Sequence, residues 1–366
     1  MKKKVALFLA LALSCSLLIP GCGKTAAPAS SAGSSSGASS SSGASSAANT
    51  QNYEWSLSCE YSSDNHQTIA LQDAATKISE QTDGHIKITV YPNMALGDYT
   101  VVYGQVMTGD IEIAACPIST QYDARADVMV LPYLSTNFDE FAKNYFEGSY
   151  MWKLYDQITG DAGVKLLGFF NSGFMGLGAK KVDKEDFAYL TDGSVKKTTL
   201  MRCPGSEVYT NTMKAMGYTT TTIPYSDLYS ALQSGLCDGW IGGSGLVNYD
   251  SFRDVIHYFI DCNCINESIP VMMNAELFNS LPADYQKIIT DVFDEMQTRV
   301  NQERQEQEAK ALVDMKAYGI TVIEPTEEQL ATLRDKIRAT VWPQMAKTLG
   351  QDVINDVCKA YNVTLS

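Results

Sequence analysis

The sequence predicts an α/β protein of two lobes, with one long helix that spans both of them. Strand-like and helix-like segments alternate with short connections over residues 53–117, and the alternation returns over residues 163–243. This order is typical of a mainly parallel sheet with helices on both faces. A run without glycine or proline then covers Ala283–Tyr318, enough for a helix of about 50 Å at about 1.5 Å per residue.

The first block alternates three strands with two helices. The first strand segment is aromatic-rich and contains no breaker, and the second alternates apolar and polar residues. The helical segments end at Gly84 and Gly109, because glycine is a common helix stop. In chain order the segments are strand 53–61, helix 64–84, strand 85–92, helix 98–110 and strand 111–117.

The second block repeats this alternation with one additional strand, and two similar blocks in one chain predict two lobes. Its helices end at Gly217 and Gly235. In chain order the segments are strand 163–170, strand 194–203, helix 206–217, strand 218–224, helix 226–235 and strand 237–243.

The long helix is polar on almost every face over residues 298–310. A helix of this kind bridges between bodies rather than lying in one core. A coiled-coil dimer is the alternative, but the apolar residues before this region do not continue as heptads. We therefore expect a strut across both lobes.

The amino terminus has the features of an export signal. Lysines 2–4 precede an apolar stretch, residues 5–19, that is shorter than the roughly 20 residues a spanning helix needs. We expect 1–21 to be a lipoprotein signal peptide, because "LLIPGC" resembles a lipobox that ends at Cys22. Ordinary secretion with an unmodified cysteine is the alternative. Residues 22–51 are then the lipidated cysteine and a flexible Ser/Gly/Ala tether, with a reach on the order of 30 Å.

Charge and cysteine content exclude several classes of function. The formal net charge is −14, and loss of three lysines with the signal makes it −17, which disfavours nucleic-acid binding. Seven of nine cysteines remain beyond Cys22, so at least one is free or pairs between molecules. We expect either buried thiols or one or two disulfides. Cys262-Asn-Cys264 has no second half at zinc-finger spacing, so we expect no metal. No complete catalytic or cofactor motif is present, so we expect no enzyme activity and no cofactor.

Six segments, in order, resemble the extracytoplasmic solute-binding proteins of TRAP transporters, the DctP-like family. The resemblance covers about residues 53–345. The most similar segment is "TTIPYSDLYSALQSGLCDG", beside the family's P-x-x-[SA]-E-x-Y-x-A-L-Q-x-G-x-x-D-G. The others include "VYPNMALGDYTVVYGQVMTGDIEIA", "VLPYL", "LMRCP" and "VMMNAELFNSLP".

The resemblance implies a two-lobe, type II periplasmic-binding-protein fold. We expect lobe I to comprise 52–171 plus 268–306, and lobe II 172–267 plus 307–366. A small organic acid would bind in the interlobe cleft, and the closed protein would deliver it to TRAP permease subunits in the membrane. The protein would be extracytoplasmic, anchored to the cell membrane by its N-terminal lipid. A binding subunit of an ABC importer, or a ligand presenter for a sensor, is the alternative with the same fold.

The resemblance also implies the ligand-binding residues. "LMRCP" matches the family's strand end, whose arginine holds the ligand carboxylate, and this assigns that role to Arg202. A guanidinium presents a planar fork that matches two carboxylate oxygens. Tyr225 matches an aromatic residue that packs on the ligand, Trp240 would supply a flat wall, and Asn274 would donate to the ligand or brace the backbone. We expect the remaining contacts from Pro204 and Gly242.

Two departures from the family pattern bear on the ligand. "GFM" at 173–175 stands where many members carry a second arginine, and "DGWIGG" at 238–243 lacks a polar pair. The loss of a cation and two polar groups suggests a monocarboxylate with an apolar or aromatic body rather than a dicarboxylate.

Overall fold

The computed structural model describes residues 51–365, which fold around one continuous mixed β-sheet. The predicted signal peptide, Cys22 and nearly all of the predicted tether lie outside these residues. The strands are β1 (Tyr53–Cys59), β2 (Ile86–Tyr91), β3 (Ile113–Ala115), β4 (Val164–Ala179), β5 (Leu200–Cys203), β6 (Thr219–Thr222), β7 (Gly239–Ser244), β8 (Tyr258–Asn274) and β9 (Thr321–Ile323).

Helices cover both faces of the sheet. The α-helices are α1 (His66–Gln81), α2 (Tyr99–Thr108), α3 (Phe138–Tyr145), α4 (Tyr150–Asp161), α5 (Phe187–Thr191), α6 (Glu207–Ala215), α7 (Leu228–Ser234), α8 (Gly245–Phe252), α9 (Ala275–Ser280), α10 (Ala283–Tyr318), α11 (Glu327–Leu349) and α12 (Gln351–Tyr361). Two 3₁₀-helices cover Ala124–Val130 and Tyr225–Asp227. Between residues 51 and 365, none of the helices combines the length and apolar composition that crossing a bilayer requires.

The sheet is parallel toward both ends and antiparallel in the centre. Its order is β2-β1-β3-β8-β4-β7-β5-β6, with β9 paired to β8. β1 is parallel to β2 and β3, and β5 is parallel to β6 and β7. The β3–β8, β8–β4 and β4–β7 pairs are antiparallel. The predicted parallel blocks are therefore present, but two long antiparallel strands, β4 and β8, join them.

β4 and β8 run through both halves of the sheet. Residues 164–171 of β4 pair with residues 268–274 of β8, and the pairing then shifts between Asn171 and Phe174. Gly173, in the shifted segment, has a φ of +92°, a conformation that favours glycine. This irregularity coincides with the crossover that the sequence suggests between lobes. The lobe boundaries themselves remain a prediction.

Apolar side chains alternate between the two faces of the sheet and form one cluster on each. On β4, Leu166 and Phe169 belong to one cluster, and Leu167 and Phe170 belong to the other. A strand buried on both faces is an almost continuous apolar run, because successive side chains point to opposite sides. The pattern explains why "LLGFF" is apolar throughout.

The long helix α10 is confirmed at the predicted bounds, Ala283–Tyr318, and contains 36 residues. Its polar middle is not exposed on every face, because Asn301 and Arg304 are buried, as is Gln297 just before this stretch. These side chains face β4 where its pairing shifts, and satisfy polar groups there. The contacts are Gln297 Oε1 with the Phe169 N–H (3.0 Å), Asn301 Oδ1 with Asn171 Nδ2 (2.9 Å) and Arg304 Nη2 with the Ser172 carbonyl (2.6 Å).

The seven cysteines of the described chain are all unpaired thiols. Six of them are buried, and Cys358 is half-buried. Burial raises the pKa of Cys59 to about 11 and that of Cys203 to about 12, since the thiolate is poorly solvated in the core. Of the alternatives left open by the sequence, the structure therefore has buried thiols.

Candidate functional site

A cavity of about 360 Å³ lies where the carboxyl ends of both parallel groups of strands meet. Its wall includes the segments that directly follow β1, β3, β5 and β6. Ligands of open α/β sheets collect at such strand ends. The segments are Glu60–Tyr61, Pro117–Gln121, Pro204–Ser206 and Ile223–Tyr225.

Arg202 lines this cavity near the end of β5 and is 1% exposed. Its Nε donates a 2.8 Å hydrogen bond to the Ile223 carbonyl, which fixes the guanidinium plane. Burial lowers the pKa of Arg202, although the guanidinium stays charged at any physiological pH. The cavity thus contains one fixed, buried cation.

Tyr225, Pro204 and Gly242 line the same cavity beside Arg202. The Tyr225 ring centroid lies 6.0 Å from the guanidinium carbon, within range of a cation–π contact. Gly242 has a φ of +137°, and a Cβ there would lie 3.4 Å from Arg202 Nη1. Glycine at this position therefore leaves the guanidinium accessible. Four of the six residues expected at the ligand are brought together.

Trp240 is placed elsewhere, and its expected position at the cleft needs correction. It is fully buried and does not line the cavity. It pairs with Arg202 across the β5–β7 register and lies beneath Tyr225, with 6.2 Å between ring centroids. The indole occupies room left by glycines, because a Cβ on Gly243 would overlap it. Trp240 therefore supports the wall from behind.

Asn274 is also placed away from the cavity. Its Oδ1 accepts the Leu277 N–H at 2.9 Å and caps α9, and its Nδ2 donates to the Val106 carbonyl at 3.0 Å. Both ends of the amide are thus used within the protein. Of the two roles expected from the sequence, bracing the backbone is the one that matches this position.

The sequence interpretation missed two acidic residues of the cavity wall, Glu60 and Asp127. Glu60 directly follows β1, and Asp127 lies in the 3₁₀-helix Ala124–Val130. Asp127 Oδ2 accepts a 2.6 Å hydrogen bond from the Ser206 hydroxyl. Burial raises the pKa of Asp127 to about 6 despite that hydrogen bond. Glu60 could have been found from its position at a predicted strand end. No feature of the neighbouring sequence indicates that Asp127 lies at the cavity.

Tyrosines supply much of the remaining wall. Tyr99 starts α2, Tyr209 lies in α6, and Tyr61 and Tyr155 complete the set. Burial raises the pKa of Tyr99 to about 12. Such rings give flat apolar surface together with a hydroxyl that can donate or accept.

Met175 occupies the wall at the position where the sequence lacks a second arginine. Among the described residues that line the cavity, Arg202 is consequently the one basic side chain. Within residues 51–365 no group of three or more histidine, cysteine or acidic side chains is arranged to hold a metal ion. The arrangement can bind one carboxylate and enclose a compact body.

Comparison with known proteins agrees with this geometry. The family model "Bacterial extracellular solute-binding protein, family 7" (DctP) matches residues 57–348. A solute-binding protein of Verminephrobacter eiseniae is 25% identical over 301 residues, which is 81% of this chain and 85% of that protein.

Two solved structures share the fold. One is a TRAP periplasmic solute-binding protein from Desulfovibrio salexigens with bound orotic acid, with a TM-score of 0.75 and 21% identity, over 85% of this chain and 99% of that one. The other is DctP7 of Bordetella pertussis, a receptor binding pyroglutamic acid, with a TM-score of 0.72 and 23% identity, over 84% and 99%. The predicted two-lobe α/β fold with a long helix is confirmed.

The family match extends over most of the folded chain, and it describes binding proteins rather than enzymes. The resemblance that six sequence segments indicated is therefore confirmed. The chain belongs to the DctP family, the bacterial extracellular solute-binding proteins of family 7.

Proposed function

We propose that this extracytoplasmic protein captures a small monocarboxylate with an apolar or aromatic body and delivers it to a TRAP permease. Arg202 would hold the carboxylate through Nη1 and Nη2, and Tyr225, Pro204 and Gly242 would surround it. Transport would be driven in the separate permease, and this chain would carry no catalysis.

The single observation that supports the proposal most is the buried guanidinium of Arg202, the one basic side chain among the described residues of the cavity wall. Burial of a guanidinium is costly because it removes the charge from water, and a carboxylate that accepts from both Nη atoms offsets that cost. One basic side chain in the wall suits one carboxylate, so a monocarboxylate is favoured over a dicarboxylate.

The size and composition of the cavity support the proposed body of the ligand. At about 360 Å³ it is at the small end of ligand sites, which span about 300–1,000 Å³. Met175, Ile118 and Met129 provide apolar wall among the tyrosines. Orotic acid and pyroglutamic acid, the ligands in the two similar structures, are compact cyclic monocarboxylates.

A thermal-shift screen of organic acids tests the proposal. A ligand at about 100 times its Kd stabilises the bound protein by about 2.7 kcal/mol, which a melting experiment detects. We expect compact cyclic or branched monocarboxylates to raise Tm and succinate to have a smaller effect. Tight calorimetric binding of dicarboxylates, with no binding of cyclic acids, would contradict the monocarboxylate assignment.

Substitution of Arg202 tests its role directly. Arg202→Ala should weaken binding by about 2–5 kcal/mol, or roughly 30-fold to several thousand-fold, and Arg202→Lys should also lose much affinity because an ammonium cannot reproduce the fork. Arg299→Lys, at an exposed ion pair on α10, is the matched control and should keep wild-type affinity. Unchanged calorimetric affinity in both Arg202 variants would remove Arg202 from the site.

We also propose that Cys22 carries the lipid that anchors the protein. The support is the lipobox-like "LLIPGC" and the low-complexity tether that follows it. Detergent phase partition of the expressed full chain should place the wild type in the detergent phase and Cys22→Ser in the aqueous phase. Equal partition of both would favour ordinary secretion.

The choice of a TRAP permease as partner rests on the family and on the long helix α10. Co-reconstitution with a TRAP permease in proteoliposomes should give uptake of the identified acid that depends on this protein and on an imposed ion gradient. Uptake that instead requires ATP would favour the ABC-importer alternative.

A further inference from the structure

Two thiols that the proposed function does not use lie close together in the middle of β8. They belong to the stretch Cys262-Asn-Cys264, and both are fully buried. Both sulfurs point at one backbone atom, because Cys262 Sγ donates to the Met175 carbonyl at 3.8 Å and Cys264 Sγ donates to it at 3.5 Å. Two thiol donors therefore converge on a single acceptor.

The backbone that carries these thiols departs from regular strand geometry. β8 pairs with β4 at Ile260 and again at Ile265, and only one residue of β4, Gly176, lies between the two partners. Asn263, between the cysteines, has a φ of +46°, in the left-handed region that asparagine tolerates better than most residues. A left-handed residue turns the chain, so the flanking Cα atoms lie closer together than in an extended strand.

Tyr133 holds this bulge in shape. Its backbone N–H donates to the Cys264 carbonyl at 2.8 Å, and its hydroxyl donates to the Cys262 carbonyl at 2.9 Å. Arg338 of α11 in turn donates from Nε to the Tyr133 carbonyl at 3.1 Å. The fold therefore fixes the backbone of both cysteines.

A disulfide requires an approach of this kind. Two cysteines can be bridged when their Cα atoms lie within about 7 Å and their side chains face each other. Cys262 and Cys264 face the same carbonyl, and their thiols also hydrogen-bond to each other. Disulfides form and persist in oxidising extracytoplasmic compartments, and the family of this chain is extracellular.

We propose that Cys262 and Cys264 are a disulfide-forming pair, which is oxidised outside the cytoplasm by exchange with a donor disulfide, either that of a dithiol oxidoreductase or that of a small molecule. One cysteine thiolate attacks the donor, which gives a mixed disulfide and releases one donor thiol. The second cysteine then attacks the mixed disulfide, forms the Cys262–Cys264 bond and releases the other donor thiol. Two hydrogens pass from the protein to the donor, which is reduced to two thiols.

Burial determines when this exchange takes place. The hydrogen bond with the Cys264 thiol, followed by burial, raises the pKa of Cys262 well above its usual range. The reactive thiolate is therefore scarce in the folded protein. The exchange accordingly belongs to the folding chain, before β8 is buried, and the folded protein then keeps the oxidation state in which the pair was enclosed.

Peptide mass spectrometry of the exported full chain tests the proposal without any substitution. Trypsin cuts after Arg253 and Lys287 and at no lysine or arginine between them, so Cys262 and Cys264 are the two cysteines of one peptide. Protein purified without reductant is unfolded in urea that contains excess N-ethylmaleimide and is then digested. We expect peptide 254–287 to be unalkylated and lighter by two hydrogens, and to accept two alkyl groups only after reduction with dithiothreitol.

A redox titration tests whether the fold brings the thiols together. The reduced chain is either refolded or kept in urea, in each case in mixtures of reduced and oxidised glutathione, and peptide 254–287 is analysed in the same way. We expect the equilibrium constant for closing the pair to be at least about tenfold larger in the refolded protein than in urea. An equal or smaller constant in the refolded protein would overturn the inference.

Substitutions assign the bond to its two cysteines. Cys262→Ser and Cys264→Ser should each leave one thiol in this peptide that is alkylated without prior reduction. Cys358→Ser, at the half-buried thiol of α12, is the matched control and should keep the closed pair. Full alkylation of both cysteines in the exported wild type, or their linkage to other cysteines of the chain, would show that they are not a disulfide-forming pair.

Discussion

Arg202 and Trp240 occupy paired positions on neighbouring strands, yet one faces a cavity and the other is enclosed. The difference arises from glycines, since Gly242 leaves the guanidinium open while Gly243 makes room for the indole. The position of Arg202 at the cavity could be predicted, because a family motif places a charged residue at this strand end. The burial of Trp240 could not be predicted, because it depends on the space left by Gly243 and on the rings of Tyr225 and Phe252 that pack near the indole.

Asp127 makes the stability of the ligand-free protein depend on pH. Its pKa is raised from 3.8 to about 6, so the folded protein binds more protons than the unfolded chain between those values. The ionisation therefore destabilises the fold above about pH 6 by about 3 kcal/mol, at about 1.4 kcal/mol per pKa unit, and this penalty vanishes as the pH falls below about 4.

We expect Asp127→Asn to be more stable than the wild type at pH 7, with a difference that shrinks toward zero at pH 4. Urea denaturation of both proteins at pH 4, 5, 6 and 7, without ligand, measures it. Other buried acids cancel in the comparison because both proteins contain them. A difference that is constant with pH would show that Asp127 does not ionise in this range.

At the scale of elements, α10 could be predicted in extent but not in the way it packs. The absence of glycine and proline marked its bounds. Its buried polar side chains could not be recognised, because they are complementary to an irregular part of β4 that is distant in sequence. β8 was not identified for a similar reason, since its middle is irregular: its pairing with β4 is interrupted between Ile260 and Ile265, where Asn263 has a φ of +46°. The predicted strand 194–203 shortens to β5, Leu200–Cys203.

Arg304 and Glu308 form an ion pair on α10, and removal of one partner should lower the free energy of unfolding. Arg304 is fully buried and its Nε lies 3.0 Å from Glu308 Oε1. Arg304→Met leaves Glu308 without its partner and should destabilise the protein by about 3 kcal/mol, the low end for buried pairs because Glu308 keeps 15% of its side chain exposed.

The double variant Arg304→Met/Glu308→Met should recover part of that loss, because no unpaired charge remains. Urea denaturation at pH 7 provides the comparison. Arg299→Met, at an exposed ion pair with Asp73 on the same helix, is the control and should change stability by less than about 1 kcal/mol. If Arg304→Met were as stable as the control Arg299→Met, the Arg304–Glu308 pair would contribute nothing to stability.

At the scale of the whole molecule, the sheet is continuous through both halves of the fold. The alternating pattern of the sequence could predict two parallel blocks, because each block is local. It could not predict that β4 and β8 join them antiparallel, because that pairing links residues about 100 positions apart. The full set of cavity residues could not be predicted for the same reason, since the cavity combines segments from both blocks.

This continuity leads us to expect that both halves unfold together. Four buried thiols report on it without any substitution, Cys59 and Cys116 in one half and Cys203 and Cys237 in the other. Pulsed alkylation at increasing urea, read by mass spectrometry, should show all four becoming reactive at the same urea concentration. Two separate midpoints, one for each half, would indicate independent domains.

The cavity wall is built largely from four short segments that come after strand ends, while the strands themselves carry the packing. Recognition and folding are therefore encoded in different parts of the chain. Grafting these segments from another receptor of the same architecture should transfer its choice of cargo to this scaffold, which would make the protein a starting point for biosensors of chosen metabolites.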